Sequence, residues 1–210
     1  MGKQHWKPGN MLNPVPAVMV SVTDKDGRSN IITVAWAGTV CTNPPMVSIS
    51  VRPSRYSYKM IEDTGEFVIN LTNESLVKAC DYCGVVSGRD VDKFKKTGLT
   101  PIPMEHVRAM GIGESPVNME CRVTEKRELG SHTMFIASVE DMDVLTSEPS
   151  ATYAYYQSSI KPKPEKPAAQ GKTIWRCTVC GYIYEGEELP EDFICPLCKH
   201  PASDFEKVTQ

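Results

Sequence analysis

No apolar run in this 210-residue chain approaches the ~20 residues that a membrane helix needs, and residues 1–10 (MGKQHWKPGN) lack the apolar core of a signal peptide. Both absences point to a cytoplasmic protein with no membrane partner. A strong charge of either sign is also missing: 23 Lys+Arg stand against 26 Asp+Glu, a net charge of -3. That balance argues against nucleic-acid binding. There is no repeat at a solenoid period and no low-complexity tract apart from one Pro/Lys stretch. The G-x-G at Gly111 and Gly113 has neither a third glycine nor a strand before it, which excludes a Rossmann dinucleotide turn.

Cysteine, by contrast, is plentiful, with eight residues. In a reducing compartment paired cysteines mean metal or redox chemistry more often than structural bridges. Cys177 and Cys180, then Cys195 and Cys198, are each spaced C-x-x-C. Four thiolates at that spacing make a tetrahedral site for zinc or a single iron. Trp175, Tyr182, Tyr184, Phe193 and Phe205 crowd the same segment. An apolar jacket of that kind controls solvent access and tunes a reduction potential, which matters only for a metal that changes valence. Forty residues cannot bury a core without a metal, so the length predicts two domains. We assign 1–156 to the larger domain, 157–172 to a linker containing Pro162, Pro164 and Pro167, and 173–210 to the metal domain. The whole net charge falls within 171–210, an acidic surface suited to steering onto a basic partner.

The larger domain reads as mainly β with short helices. Val15 to Thr23 and Ile31 to Thr39 form a hairpin across a turn at Asp24–Gly27. Cys41–Pro45 then interrupts, and Met46 to Val51 alternates as a third strand. Pro53 stops that strand and a short helix runs to Gly65. Arg52 and Arg55 beside Ser54 and Ser57 at this helix start suit a phosphate monoester, although the same residues could simply solvate a turn and cap the helix. Glu66–Leu71 is a strand, and Thr72 or Asn73 caps a helix whose Cys80 and Cys83 read as buried free thiols. Ser87, Arg89 and Lys93 lie where they could reach a ligand, or stand as solvated surface residues. Thr100–Pro116 is irregular connection, followed by a hairpin of Val117–Val123 and His132–Val144 that turns at Gly130.

The segments C-T-V-C-G-Y-I-Y-E-G and C-P-L-C resemble rubredoxin, in the compact form appended to rubrerythrins. The resemblance implies an iron held by Cys177, Cys180, Cys195 and Cys198 and a one-electron carrier. Rubrerythrin-type peroxide reduction needs E-x-x-H carboxylate pairs, and the chain has none. The segments N-I-I-T-V-A-W-A-G-T-V-C-T-N-P-P, S-V-R-P-S-R-Y-S-Y-K-M-I, G-E-F-V-I-N-L, C-G-V-V-S-G-R-D-V-D-K-F and G-S-H-T-M-F-I resemble, in order, flavin reductases of the FMN-binding split-barrel kind. That resemblance implies a split β-barrel flavin-binding domain and a homodimer with the flavin near the subunit interface. By position, Thr33, Ala35, Trp36, Cys41 and Thr42 line the isoalloxazine, while Ser50, Val51, Arg52, Arg55, Ser57 and Tyr58 hold the ribityl phosphate. Ser87, Arg89, Lys93 and His132 lie toward the flavin or its reductant, His132 in the catalytic role.

Both domains together resemble the high-molecular-weight rubredoxins of anaerobes. This implies electron flow from NAD(P)H through FMN to iron, and onward to a flavodiiron nitric oxide or oxygen reductase or another redox protein. A rival reading is a non-catalytic flavin-binding barrel with a zinc ribbon for protein docking.

Overall fold

The computed structural model describes residues 5, 7–10, 12, 14–160 and 173–209. The chain divides into two compact units, Pro14–Ile160 and Met1–Asn13 with Lys161–Gln210.

The larger unit is built on an antiparallel seven-stranded sheet. Its strands are β1 (Val18–Thr23), β2 (Ser29–Val34), β3 (Ala37–Thr42), β4 (Pro45–Val51), β5 (Glu66–Asn70), β8 (Val117–Leu129) and β9 (His132–Val144), in the order β2-β1-β5-β8-β9-β4-β3. β6 (Pro101–Ile102) and β7 (Gly111–Ile112) form a separate two-residue pair. β2 and β3 are consecutive in the chain yet stand at opposite ends of the sheet, so Ala35 and Trp36 carry the chain from one edge to the other. The Ser50 N–H donates to the Trp36 carbonyl at 2.8 Å and ties that junction to β4.

Period-two alternation in β1 serves two cores. Val18, Val20 and Val22 face the barrel interior with Ile49, Val51, Phe67, Phe135 and Ala137. Met19 faces the other way, into a cluster with Ile31, Cys80, Cys83, Phe94 and Tyr156 beneath the helices α2 (Val77–Val85), α3 (Lys93–Thr97) and α4 (Tyr153–Ile160). Because both faces are covered, β1 is buried along its whole length. The remaining helix, α1 (Tyr56–Thr64), begins after Arg55 and ends at Gly65, whose φ of 68° is the left-handed conformation glycine adopts freely.

Four expectations need correction. The run Ile31–Thr39 is not one strand. It breaks at Ala35-Trp36 into β2 and β3, because residues of equal β propensity serve opposite edges of the sheet. Cys41 and Thr42 complete β3 rather than interrupting, and the turn is confined to Asn43-Pro44, joined by a cis peptide bond. Residues 100–116 hold more order than their lack of period suggests. There the buried Glu120 carboxylate accepts from the backbone N–H groups of Glu105, His106 and Val107, and Asn70 Oδ1 accepts from Ile112 N–H at 2.9 Å. Finally, Gln157–Ile160, expected as linker, finish α4, where buried Tyr156 anchors the helix. The rest of the expected linker, 161–172, lies outside the described residues.

The smaller unit has a three-stranded sheet in the order β11-β10-β12, from β10 (Thr173–Cys177), β11 (Ile183–Glu185) and β12 (Phe205–Thr209). Its core is small: Cys177, Cys195, Leu197 and Phe205 are buried, with Tyr182, Tyr184 and Phe193 packed around them.

Candidate functional site

In the larger unit a pocket of about 120 Å³ opens between the start of α1, the end of α2 and the loop before α3. Its lining includes Arg55, Ser57, Ser87, Arg89 and Lys93 and, among the described residues, no carboxylate. Three cationic side chains without an acidic neighbour make a site selective for anions. Each wall is held in place. Ser57, buried in the first turn of α1, accepts a hydrogen bond from Asn30 Nδ2 at 2.8 Å. The Ser87 hydroxyl accepts from the Arg89 N–H at 3.2 Å, which curls the Ser-Gly-Arg loop. Arg28 donates to the Gly88 carbonyl at 2.8 Å, and both Arg28 and Arg89 lie over the Tyr56 ring, 5.2 and 5.3 Å from its centroid. These cation–π contacts fix the loop without consuming the charge of Arg89.

Asn30, Tyr56 and Arg28 were missed by the sequence reading. The one available signal was a polar Asn30 directly before the apolar Ile31 and Ile32. The pairing of Arg28 with Arg89 across Tyr56 depends on a contact between distant segments and leaves no trace in spacing.

The other expected residues fall in three places. Thr33, on β2, donates its hydroxyl to the Cys80 carbonyl, and Ala35 and Trp36 form the crossover, where Trp36 packs on Tyr153 at 6.3 Å between ring centroids. Cys41 and Thr42 lie at the far end of edge strand β3, opposite Met46 and Pro45 and about 13 Å along the strand from Ser50. Ser50 lies near the end of β4 and Arg52 directly after it, where the Arg52 carbonyl accepts from the Arg55 N–H at 3.0 Å. The Val51 side chain is buried in the barrel, and the Tyr58 ring packs tilted against Phe135 with centroids 5.6 Å apart; neither side chain lines the pocket. The register that pairs Val51 with Thr133 brings His132 to the β4–α1 end of the barrel, where its Nδ1 shares a hydrogen bond with the Ser131 hydroxyl at 2.9 Å. Cys80 and Cys83 are buried thiols as expected, and burial pushes Cys83 up to about 12. Lys93 is buried, not solvated, and donates to the carbonyls of Ile31 and Cys83.

In the smaller unit the four cysteines converge. Their sulfurs lie within 4.8 Å of one another, with Cys177 to Cys198 and Cys180 to Cys195 each at 3.5 Å. Four sulfurs bound ~2.3 Å from one ion stand about 3.8 Å apart, so the cage needs little adjustment to close on iron. Two matching turns build it. Gly181 N–H donates to the Cys177 carbonyl and Lys199 N–H to the Cys195 carbonyl, each at 2.9 Å, and Gly181 and Lys199 both take positive φ. The turns aim backbone N–H groups at sulfur: those of Cys180 and Val179 at Cys177, Tyr182 at Cys180 and His200 at Cys198. Hydrogen bonds of this kind stabilise thiolate ligands and set the electronics of the bound metal. Cys177 and Cys195 are buried while Cys180 and Cys198 are partly exposed, so one side of the cage is open to electron exchange.

Comparison with known proteins finds a family match for each unit. Residues 11–163 match the flavin reductase like domain, and residues 175–206 match the rubrerythrin, rubredoxin-like domain. A high molecular weight rubredoxin of Moorella thermoacetica is 26% identical over 80% of this chain and 85% of its own length. An uncharacterized protein of Archaeoglobus fulgidus is 30% identical over 53% of this chain, a match spanning 63% of that relative. Among solved structures, flavoredoxin of Desulfovibrio vulgaris (Miyazaki F) superimposes with a TM-score of 0.66 at 31% identity, covering 91% of this chain and 98% of that one. The matched domains and the four-thiolate cage support FMN and a rubredoxin-type iron as the cofactors. An anion pocket on a split barrel and a four-cysteine cage in one polypeptide thus identify the chain as a member of the flavin reductase like family that carries a rubredoxin-like domain at its C-terminal side.

Proposed function

We propose that the protein is a cytoplasmic flavo-rubredoxin, NAD(P)H:rubredoxin oxidoreductase in activity, that passes electrons to a partner such as a flavodiiron nitric oxide or oxygen reductase. The observation that carries this reading is an anion pocket with three cations and no carboxylate in the same chain as a four-thiolate cage. When bound, a flavin would accept one hydride, an electron pair, and return the electrons singly, which would join a two-electron nicotinamide to a one-electron iron.

The residues have distinct tasks. Arg55 and Arg89 neutralise the phosphate ester, and Asn30 presents the Ser57 hydroxyl to it. Thr33, Ala35, Trp36, Cys41 and Thr42 border the isoalloxazine, and Ser50 and Arg52 fix the strand end between ring and phosphate. Val51 and Tyr58 support that end from inside the barrel. His132 exchanges the proton that accompanies reduction, and a second copy of the chain completes the site in a homodimer. Cys177, Cys180, Cys195 and Cys198 hold the iron, and the surrounding acidic surface steers the small unit toward a basic partner.

The proposal is tested by NADH-dependent reduction of cytochrome c in the wild type and in Cys195→Ser. We expect the variant to keep NADH-dependent bleaching of its flavin while losing most cytochrome c reduction. Equal rates in the two proteins would show that the metal unit is not on the electron path.

A further inference from the structure

A buried ammonium normally has a carboxylate beside it, because an uncompensated charge away from water is costly. Lys93 is 3% exposed, and among the described residues no carboxylate pairs with it. Its Nζ donates to the Ile31 carbonyl at 2.6 Å and the Cys83 carbonyl at 2.7 Å. An ammonium has three N–H groups, and among the described residues the third has no protein partner while the side chain lines the anion pocket.

The groups around it supply no negative charge. From α2 comes Cys83, a neutral thiol because burial pushes it up to about 12. From the start of α1 comes Arg55, and from the loop before α3, Arg89. β2 contributes Asn30, Ile31 and Ile32, none of them titratable. On Lys93's own element, Asp92 caps the helix at Lys95 N–H and pairs with Lys95 Nζ at 3.5 Å. Burial therefore lowers Lys93 to about 8, and the neighbouring charge of Arg55 adds to that fall.

On the reading of this pocket as a phosphate site, we propose that the missing counter-ion of Lys93 is the ligand's phosphate, so that binding a phosphorylated flavin places a proton on Lys93. Near pH 7 the lysine already carries that proton while the phosphate ester is still largely dianionic, so affinity is at its highest there. Above pH 8 the proton must come from solvent, and affinity for the phosphate ester falls by up to about tenfold per pH unit. Riboflavin shares the ring but lacks the phosphate, so any titration of the ring is common to both ligands. Lys93 thereby distinguishes phosphorylated from unphosphorylated flavin and sets the pH at which FMN is released.

The experiment is fluorescence-quenching titration of the full chain with FMN and with riboflavin at pH 7.0 and 9.5, together with calorimetric FMN titration at pH 8.5 in two buffers of different ionisation enthalpy. We expect the FMN dissociation constant to rise by up to about thirtyfold across that interval, the riboflavin constant to change less than about twofold, and the calorimetry to record net proton uptake. In Lys93→Met the FMN constant should lose its pH slope. FMN and riboflavin weakening in parallel, or no proton uptake, would overturn the inference even if the variant failed to fold. FMN failing to bind at any pH would overturn the phosphate-site reading itself, a result distinguishable from pH-independent binding.

Discussion

Gly88 shows how tightly the anion pocket is assembled. A β-carbon there would stand 2.0 Å from Asn30 Oδ1, so Gly88→Ala must displace the side chain that presents Ser57. We expect this variant to keep its fold and to lose FMN affinity about tenfold, measured against riboflavin as the phosphate-free control. Arg89→Ala should weaken FMN by about ten- to a hundredfold, because it removes a charge-assisted contact while Tyr56 and Arg28 remain in place. At this scale the sequence was partly legible. Arg55 and Ser57 were readable because a proline-stopped strand followed by a helix start gathers N–H groups and cations locally. The burial of Lys93 was not, since it depends on α3 packing over β2 and α2, and a lysine in a polar loop reads as surface.

Among the elements, one carboxylate at the start of β5 reinforces its backbone pairing with β8 and ties in the 100–116 segment. Glu66, buried at the strand start, accepts from Arg122 of β8 at 2.8 Å and from the Arg108 backbone N–H at 3.0 Å. Burial alone would raise its pKa, but the hydrogen bonds from Arg108 and Arg122 outweigh burial and hold it below the usual carboxylate range. The folded state thus binds this proton less readily than the unfolded chain. Its stabilisation is present above the ordinary glutamate pKa and is lost as pH falls through the lowered one. Urea unfolding should show Glu66→Gln less stable than wild type by about 2 kcal/mol at pH 7, with the gap narrowing as pH drops below 4. A constant gap would assign the effect to packing. Strand content, the Gly130 hairpin and the start of α1 could be read from period and breakers. The division of 31–39 into two edge strands could not, because barrel closure, not propensity, decides where that run bends. Residues 157–160 misled for a related reason: they look like linker, but Tyr156, whose hydroxyl donates to Asp81 at 2.6 Å, holds the helix on the domain.

For the whole molecule, the two units differ in what holds them together. The barrel rests on buried side chains such as Phe67 and Phe135, whereas the smaller unit centres on four cysteines and a few aromatics. Iron removal by a chelator under reducing conditions should therefore unfold the C-terminal unit, seen as lost Trp175 shielding and proteolysis within 173–209, while FMN stays bound to the barrel. The metal cage was fully legible because its four ligands come in two short turns whose spacing alone fixes the geometry. The flavin site was proposed chiefly by resemblance, and the residues that line the anion pocket, spread from Asn30 to Lys93, meet only after the barrel closes. Whether the two centres form one electron path is decided by the visible spectrum of the purified protein under nitrogen before and after NADH. Bleaching of both the flavin and the ferric-thiolate bands is the expected result. A colourless protein with zinc in the cage, or flavin and iron bands unmoved by NADH, would contradict it.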